Sequence, residues 1–225
     1  MALSGFRNRN CGLYWSCLFD GFGFKNNDAK FIQRLMENLI HIHKTFEKVS
    51  FIDKKVNNRE FEECVFRNCD FSNSNFCNNI FMDCEFIDCN LSMMLLDGTS
   101  LKTVHFKTCK LMGIQFNSCA DFLFNVSFLD CVLDYSSFAN KKMPKTKFDS
   151  CSMKEVSFIG TNLTNSAFDN CNLDNAIFND TQLAGVDFRT AYNYKIDPEF
   201  NPMRKAQFLT QGIVGLLDKY DIKIE

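Results

Sequence analysis

The chain of 225 residues is poor in the residue types and patterns that form flexible linkers, membrane-spanning helices and metal clusters. Only three prolines and ten glycines occur, so no segment has the composition of a long flexible linker. No run of 18 apolar residues exists, which excludes a membrane-spanning helix. The three histidines fall into no cysteine-histidine cluster, so a zinc site has little basis.

A strong charge of one sign is also absent, because the formal net charge is −2. This balance favours neither nucleic acid nor a membrane as a partner. Phenylalanine is abundant instead, with 26 copies against one tryptophan and five tyrosines. Twelve cysteines are enough for a disulfide scaffold. Their positions favour buried thiols in a reducing compartment, so we expect a cytoplasmic protein.

An apolar residue recurs every five residues through most of the chain. Fifteen successive positions from Phe46 to Phe116 are apolar and, after a slip of two residues, fourteen more run from Leu123 to Phe188. A period of five fits neither the 3.6 of a helix nor the 2 of a strand. It predicts a backbone that turns a corner every five residues, so that four sides close a coil of twenty.

The flanking positions of each five-residue unit support this coil. The position two before the central residue holds small side chains such as Cys64 and Thr99, which suit a narrow interior. The position two after it holds turn residues such as Asn68, Asp83 and Gly98. Each unit therefore reads as a small inward residue, a large inward residue and a corner.

Cysteine spacing gives the length of the coil independently. Cysteines twenty residues apart stand on both sides of the slip: Cys69, Cys89 and Cys109, then Cys131, Cys151 and Cys171. Cys64 and Cys84 fall in the neighbouring column. We interpret these columns as ladders of buried thiols. Metal ligation, the alternative, needs closely spaced cysteines with further partners, which His41, His43 and His105 do not provide.

The five-residue unit resembles that of the pentapeptide-repeat family, as Cys131–Tyr135 and Cys171–Asn175 show best. The resemblance covers residues 46–190. It implies an all-β solenoid, a right-handed quadrilateral β-helix of about seven coils stacked at about the 4.8 Å strand spacing, with small helical terminal caps. The sides are numbered by their central residues: Leu133 and Leu173 on side one, Phe138 and Phe178 on side two, Met143 and Leu183 on side three, and Phe148 and Phe188 on side four.

The slip and the N-terminal region depart from the repeat. We expect a corner loop at Ser118–Phe122, with Leu123 as the next inward residue. Residues 1–45 are predicted as an N-terminal extension. Within it, Asp28–Lys44 has the pattern of an amphipathic capping helix, and residues 1–35 are a candidate for disorder.

Residues 191–225 are predicted as a C-terminal cap. Asp197 and Pro198 indicate the start of a helix that reaches about Phe208, and Ile222–Ile224 alternates like a strand. The segment resembles the tails of the quinolone-resistance (Qnr-like) members of the family. That resemblance implies a homodimer through Ile213, Leu216, Leu217 and Tyr220.

The sequence contains no recognisable catalytic motif. Neither a phosphate-binding glycine loop, a zinc-protease motif nor a serine nucleophile elbow is present. His105 lies beside an inward residue and reads as a solvated surface residue. Cys77 has no neighbouring positive charge that would activate its thiol. We therefore expect a binding protein without enzyme activity, cofactor or metal.

Charge on the repeat is uneven between the sides. Acidic residues are in excess on the adjacent sides one and four, whereas sides two and three are balanced. The candidate partner-binding residues are the acidic stripe Asp130, Asp134, Asp149, Asp169, Asp174 and Asp187. A basic patch of Lys141, Lys142, Lys145 and Lys147 lies near one corner.

Two interpretations of this surface remain open. The charges can simply keep the protein soluble. Alternatively the stripe binds a basic surface, as the Qnr-like resemblance implies: such members present a negatively charged rod of duplex width to DNA gyrase and topoisomerase IV, without binding DNA or a membrane themselves. A scaffold that binds an unrelated protein is the competing functional hypothesis.

Overall fold

The structure, a computed structural model, describes residues 38–223. Within this range the chain forms short β-strands separated by tight corners. The strands are β1 (Ile40–Ile42), β2 (Thr45–Glu47), β3 (Glu60–Glu62), β4 (Val65–Arg67), β5 (Ile80–Met82), β6 (Glu85–Ile87), β7 (Ser100–Lys102), β8 (Val104–Lys107), β9 (Val126–Leu129), β10 (Lys147–Asp149) and β11 (Ala167–Asp169).

The five-residue period arises because strand and corner alternate. Each three-residue strand buries its central residue between more exposed neighbours, as Phe66 is buried between Val65 and Arg67, and the four-residue strands β8 and β9 bury two residues each. The next corner residue is left-handed, with φ of 52° at Asn68 and 67° at Gly98. Asparagine, aspartate and glycine tolerate this backbone best, which explains their excess at the predicted corner positions.

Successive coils pair in parallel, mostly with a register of twenty residues. Side three contains the four-stranded sheet β1-β3-β5-β7, and side four contains the seven-stranded sheet β2-β4-β6-β8-β9-β10-β11. On sides one and two, single bridges such as Asn90↔Lys110 and Gln115↔Ser137 replace strands. The predicted all-β solenoid of four sides is confirmed.

A column of stacked phenylalanines forms the core beneath side four. Neighbouring rings are 4.6–5.3 Å apart between centroids, with planes inclined by 2–18°. The column comprises Phe46, Phe66, Phe86, Phe106, Phe128, Phe148, Phe168, Phe188 and Phe208. Stacking of aromatic rings adds to the stabilisation that comes from burying apolar area.

The side chains at the small inward positions donate hydrogen bonds in addition to fitting the narrow interior. The Thr99 hydroxyl donates to the Phe76 carbonyl of the preceding coil at 2.6 Å, and the Thr161 hydroxyl donates to the Phe138 carbonyl at 2.9 Å. The Cys109 thiol donates to the Phe86 carbonyl at 3.4 Å. The sequence interpretation of these positions as merely small is therefore incomplete: many of them join one coil to the next.

The slip forms a corner loop that spans residues 119–125. The prediction that Leu123 points inward is wrong: it is 62% exposed and has a left-handed φ of 58°. Phe124 is buried in its place, with 7% of its surface exposed. The two extra residues push the chain outward, so the inward side chain moves one position along.

The N-terminal helix prediction is wrong where the structure describes that segment. β1 occupies Ile40–Ile42 and pairs in register with β3. His41 is buried and stacks on Phe61 at 4.9 Å, so it continues the five-residue phase before Phe46. Residues 28–37 of that predicted helix, and the predicted disorder over 1–35, lie outside the described residues.

The predicted helix from Asp197 to Phe208 is also wrong, because the solenoid continues there. Gln207 bridges Asp187, and Phe208 stacks on Phe188 at 5.2 Å. Asp197 caps a turn by accepting the Glu199 amide at 2.9 Å. The C-terminal helical cap is confirmed further along the chain: a 3-10 turn at Thr210–Ile213, helix α1 (Val214–Leu217) and a second 3-10 turn at Asp218–Tyr220. Ile222 and Lys223 form no strand, and Ile224 lies outside the described residues.

Candidate interaction surface

The acidic stripe lies on the C-terminal half of the solenoid. β10 and β11 place Asp149 and Asp169 directly opposite each other in neighbouring coils, and Asp130 occupies the corner after β9. Asp134 and Asp174 lie on side one, beyond that corner. Like charges that lie opposite each other on neighbouring strands repel and destabilise the unbound protein. This arrangement therefore favours binding of a cationic partner.

Two of the six predicted carboxylates serve the fold. Asp134 accepts hydrogen bonds from the Ser152 hydroxyl at 2.7 Å and the Lys154 amide at 2.9 Å. Asp187 is bidentate with Arg189, whose Nη2 lies 2.7 Å from Oδ2 and whose Nε lies 3.0 Å from Oδ1. The hydrogen bonds from Arg189 hold the pKa of Asp187 below its usual range.

The other four carboxylates form the open part of the stripe. Between residues 38 and 223 no ion pair involves Asp130, Asp149, Asp169 or Asp174. Among residues 38–223, the two on side four accept side-chain hydrogen bonds only from hydroxyls: Ser150 donates to Asp149 at 2.9 Å, and Thr190 donates to Asp169 at 3.4 Å. These four are therefore the carboxylates of the stripe that the structure leaves available to a partner.

The C-terminal segment closes the last coil by packing glycines on Tyr194. A Cβ at Gly215 would collide with the Tyr194 carbonyl, and one at Gly212 would collide with its hydroxyl. The Ile196 amide donates to the Gly215 carbonyl at 3.0 Å. Lys219 lies 2.8 Å from both Asp197 and Glu199, and its hydrogen bond holds the pKa of Asp197 low. The cap is therefore held on the last coil by packing, a backbone hydrogen bond and ion pairs within the same chain.

The predicted dimer residues divide between this cap and the surface. Leu216 packs against the core of its own chain, and the Tyr220 hydroxyl donates to Glu199 at 3.2 Å. Leu217 is half-buried, whereas Ile213 is 43% exposed. Sequence reasoning missed the other exposed apolar side chains beside Ile213: Leu209, Val214 and Ile222.

A cleft of roughly 720 Å³ runs between this cap and side one. Asp174 and Arg189 line it near one side, and Leu209 and Val214 line it from the cap. The Tyr194 hydroxyl is buried beside it and makes no hydrogen bond within the described range. Burial raises the pKa of Tyr194, so it stays a neutral phenol.

The corner loop is held by Lys141, whose role the sequence did not reveal. The Lys141 ammonium donates to the Cys119 carbonyl and lies 2.7 Å from Asp121. It also lies 5.2 Å from the centre of the Phe124 ring. The signal was present: lysine stands at an inward position that elsewhere holds a small residue. Lys141 is therefore a buried anchor and not part of the basic patch.

The cysteine columns are interior, as predicted. Cys69, Cys89, Cys109, Cys131, Cys151 and Cys171 are buried free thiols, and so are Cys64 and Cys84. Burial raises the pKa of Cys119 to about 12 and also raises that of the half-buried Cys77, so both remain protonated at neutral pH. Within the described part of the chain, no three potential metal ligands cluster.

The stacked coils, left-handed corners and inward ladders define a protein of the repeat-solenoid class. The family described as "Pentapeptide repeat region" matches residues 59–138 and 121–192, which together exceed half of the chain. The protein belongs to this pentapeptide-repeat family. No curated protein matches the chain.

Solved structures of similar shape include two trypsin-treated variants of QnrB1, a plasmid-mediated fluoroquinolone resistance protein. One has a TM-score of 0.63 at 15% identity over 83% of this chain and 97% of that chain. The other has a TM-score of 0.62 at 14% identity over 83% of this chain and 91% of that chain. At this identity the similarity shows the shared fold. No helix within residues 38–223 is long and apolar enough to cross a bilayer.

Proposed function

We propose that this protein is a non-enzymatic binding rod whose acidic stripe occupies the DNA-binding surface of DNA gyrase or topoisomerase IV and so protects the enzyme from quinolones. The observation that carries this proposal is the open set of Asp130, Asp149, Asp169 and Asp174. The fold that this chain shares with a fluoroquinolone resistance protein supports the proposal.

The physical basis is electrostatic complementarity. A surface that binds duplex DNA is basic, and rigid carboxylates stacked about 4.8 Å apart can meet its cations without a large ordering cost. Asp149 and Asp169 already face each other in the free rod, so a cationic partner relieves their repulsion. We expect association to weaken steeply as salt increases.

The proposed rod acts as a homodimer joined through the C-terminal segment. Its cap leaves apolar side chains exposed, including Ile213 at 43% and Val214 at 52%. Pairing two caps would bury these side chains and place two stripes in one particle.

The test is gyrase supercoiling in the presence of ciprofloxacin, with the protein titrated from sub- to supra-stoichiometric amounts. We expect rescue by the natural chain and loss of rescue when Asp130, Asp149, Asp169 and Asp174 are all changed to Asn. Asp134 and Asp187 stay unchanged, because their hydrogen bonds serve the fold.

The matched control changes four acids outside the stripe to Asn: Asp53, Asp83, Asp180 and Asp221. All four have left-handed backbones, with φ between 48° and 54°, which asparagine also tolerates. Equal loss in both variants would show that only total charge matters and would contradict the stripe. If the protein neither rescues nor inhibits supercoiling at any ratio, the gyrase proposal is wrong. A scaffold that binds an unrelated protein is then the function that remains.

A further inference from the structure

The corner loop presents two large apolar side chains outside the solenoid. Phe122 is 72% exposed, and Leu123 is 62% exposed. Folding gains nothing from this exposure, because the neighbouring Phe124 already fills the interior position. An exposed aromatic and aliphatic pair on an otherwise regular surface marks a contact site.

The loop is fixed in shape. The buried Lys141 ammonium bonds the Cys119 carbonyl and the Asp121 carboxylate, while the Ala120 and Asn125 amides donate to the Thr99 and Leu101 carbonyls at 2.9 and 3.0 Å. A tip held at both ends and braced from within loses little conformational entropy when it binds.

Lysines lie in the coils before and after this tip. The Lys102 ammonium lies 5.7 Å from the centre of the Phe122 ring in the coil before the loop. Lys142, Lys145 and Lys147 are exposed in the coil after it. The nearby Asp121 is neutralised by Lys141. The next two coils of side three present only neutral side chains outward: Asn162, Thr164, Asn165, Gln182, Ala184 and Gly185.

We propose that this loop and its lysines dock the rod on an anionic phospholipid surface. The tip is convex, so it would need a matching pocket in a protein partner, whereas a lipid interface accepts a protruding Phe-Leu pair without one. Lys102 and Lys142 are two coils apart, about 10 Å along the rod. Lysines spread over this distance can contact the headgroups of a flat anionic membrane surface at the same time.

The charges of the other sides fix the orientation of the rod. An anionic surface attracts the lysines around the corner loop and repels the acidic residues in the earlier coils of side three (Glu60, Glu62, Glu63 and Asp83), as well as the acidic stripe on sides one and four. Side one lies opposite side three, so Asp134 and Asp174 face away from the membrane. The sequence expectation of no membrane partner rested on the small net charge, the absence of a span and the Qnr-like resemblance, whereas a surface contact needs only a local group of cationic and apolar side chains. This proposal does not depend on the gyrase proposal.

The first test is co-sedimentation of the full chain with vesicles of phosphatidylcholine alone or of phosphatidylcholine mixed with phosphatidylglycerol. We expect binding only to the mixed vesicles. Changing Phe122 and Leu123 together to Ser should weaken it about tenfold or more. Changing Lys142 and Lys145 together to Gln should weaken it roughly 25-fold, at about 1 kcal/mol for each lysine.

Matched control variants alter similar residues elsewhere on the rod. Tyr135 and Ile177 are 54% and 49% exposed, and their joint change to Ser should leave sedimentation unchanged. The exposed Lys54 and Lys154, which both lie away from side three, provide the charge control when both are changed to Gln. Equal losses in test and control variants would overturn the proposal, as would equal binding to neutral vesicles or no binding to anionic vesicles at low salt.

A second measurement reports insertion directly. Phe122→Trp, compared with the unchanged chain to subtract Trp15, should give a blue-shifted emission with mixed vesicles and quenching by brominated lipid. An emission that stays unshifted while the protein sediments would rule out insertion of the tip. Binding to single-stranded DNA or an acidic protein without vesicle binding would assign the loop to a different partner.

Discussion

Individual inward residues hold neighbouring coils together by donating to carbonyl groups. Thr181 donates to Phe158 at 2.8 Å, and Asn79 donates to Val56 at 2.6 Å. Such bonds keep carbonyls satisfied in an interior without water. Lys141 does the same across the corner loop, where backbone pairing to the next coil is missing.

Lys141→Met tests this role of the lysine. Methionine keeps most of the volume but leaves the Cys119 carbonyl unsatisfied, so we expect a loss of about 1–3 kcal/mol in the free energy of unfolding. The measurement is the urea midpoint at constant slope. Lys142→Met, at an exposed neighbour, should change the midpoint by less than about 0.5 kcal/mol. Equal effects at both positions would show that the buried contacts contribute nothing.

Whole strands and corners were the part of the fold that the sequence could predict. The five-residue phase follows from large inward side chains, and the corners follow from residues that tolerate positive φ. The phase also continued through His41 at one end and through Met203 and Phe208 at the other. It was missed there because His41 is polar and because Asn193 and Pro198 interrupt the pattern before Met203.

The site could be predicted only in part for a related reason. Sequence position places all six carboxylates on two sides, but it does not show which of them accept hydrogen bonds from their own chain. Asp187 accepts a hydrogen bond from Arg189 two residues away, and Asp134 accepts one from Ser152 in the next coil. Only side-chain geometry separates these two from the open four.

The C-terminal cap depends on the close approach of α1 to Tyr194. Gly215→Ala introduces a methyl group that collides with the Tyr194 carbonyl, a backbone atom that cannot rotate away. We expect a loss of about 1–3 kcal/mol, seen as a lower urea midpoint. Gly185→Asn is the control, since its new Cβ meets the movable end of Asn165 and asparagine tolerates its φ of 69°. A cap unaffected by the alanine would mean that this contact does not hold the segment.

For the whole molecule, the decisive property is whether two rods join. We expect a dimer by light scattering coupled to size exclusion, and Ile213→Asp with Val214→Asp should convert it to a monomer, because two charges would be buried at the joint. Leu39→Asp with Ile42→Asp, exposed at the other end, is the control that should leave the dimer intact. A natural chain that elutes as a monomer at every concentration would contradict the dimer.

The corner loop also determines how the rod can bend. Backbone pairing continues past it on side one through Lys110↔Val132, on side two through Gln115↔Ser137 and on side four through β8 and β9. On side three no backbone hydrogen bond within the described residues joins 119–125 to the following coil. Because only side three lacks this pairing, the rod bends more easily toward and away from side three than toward sides two and four. On this side the Lys141 side chain makes the contacts with the next coil that backbone pairing makes on the other three sides.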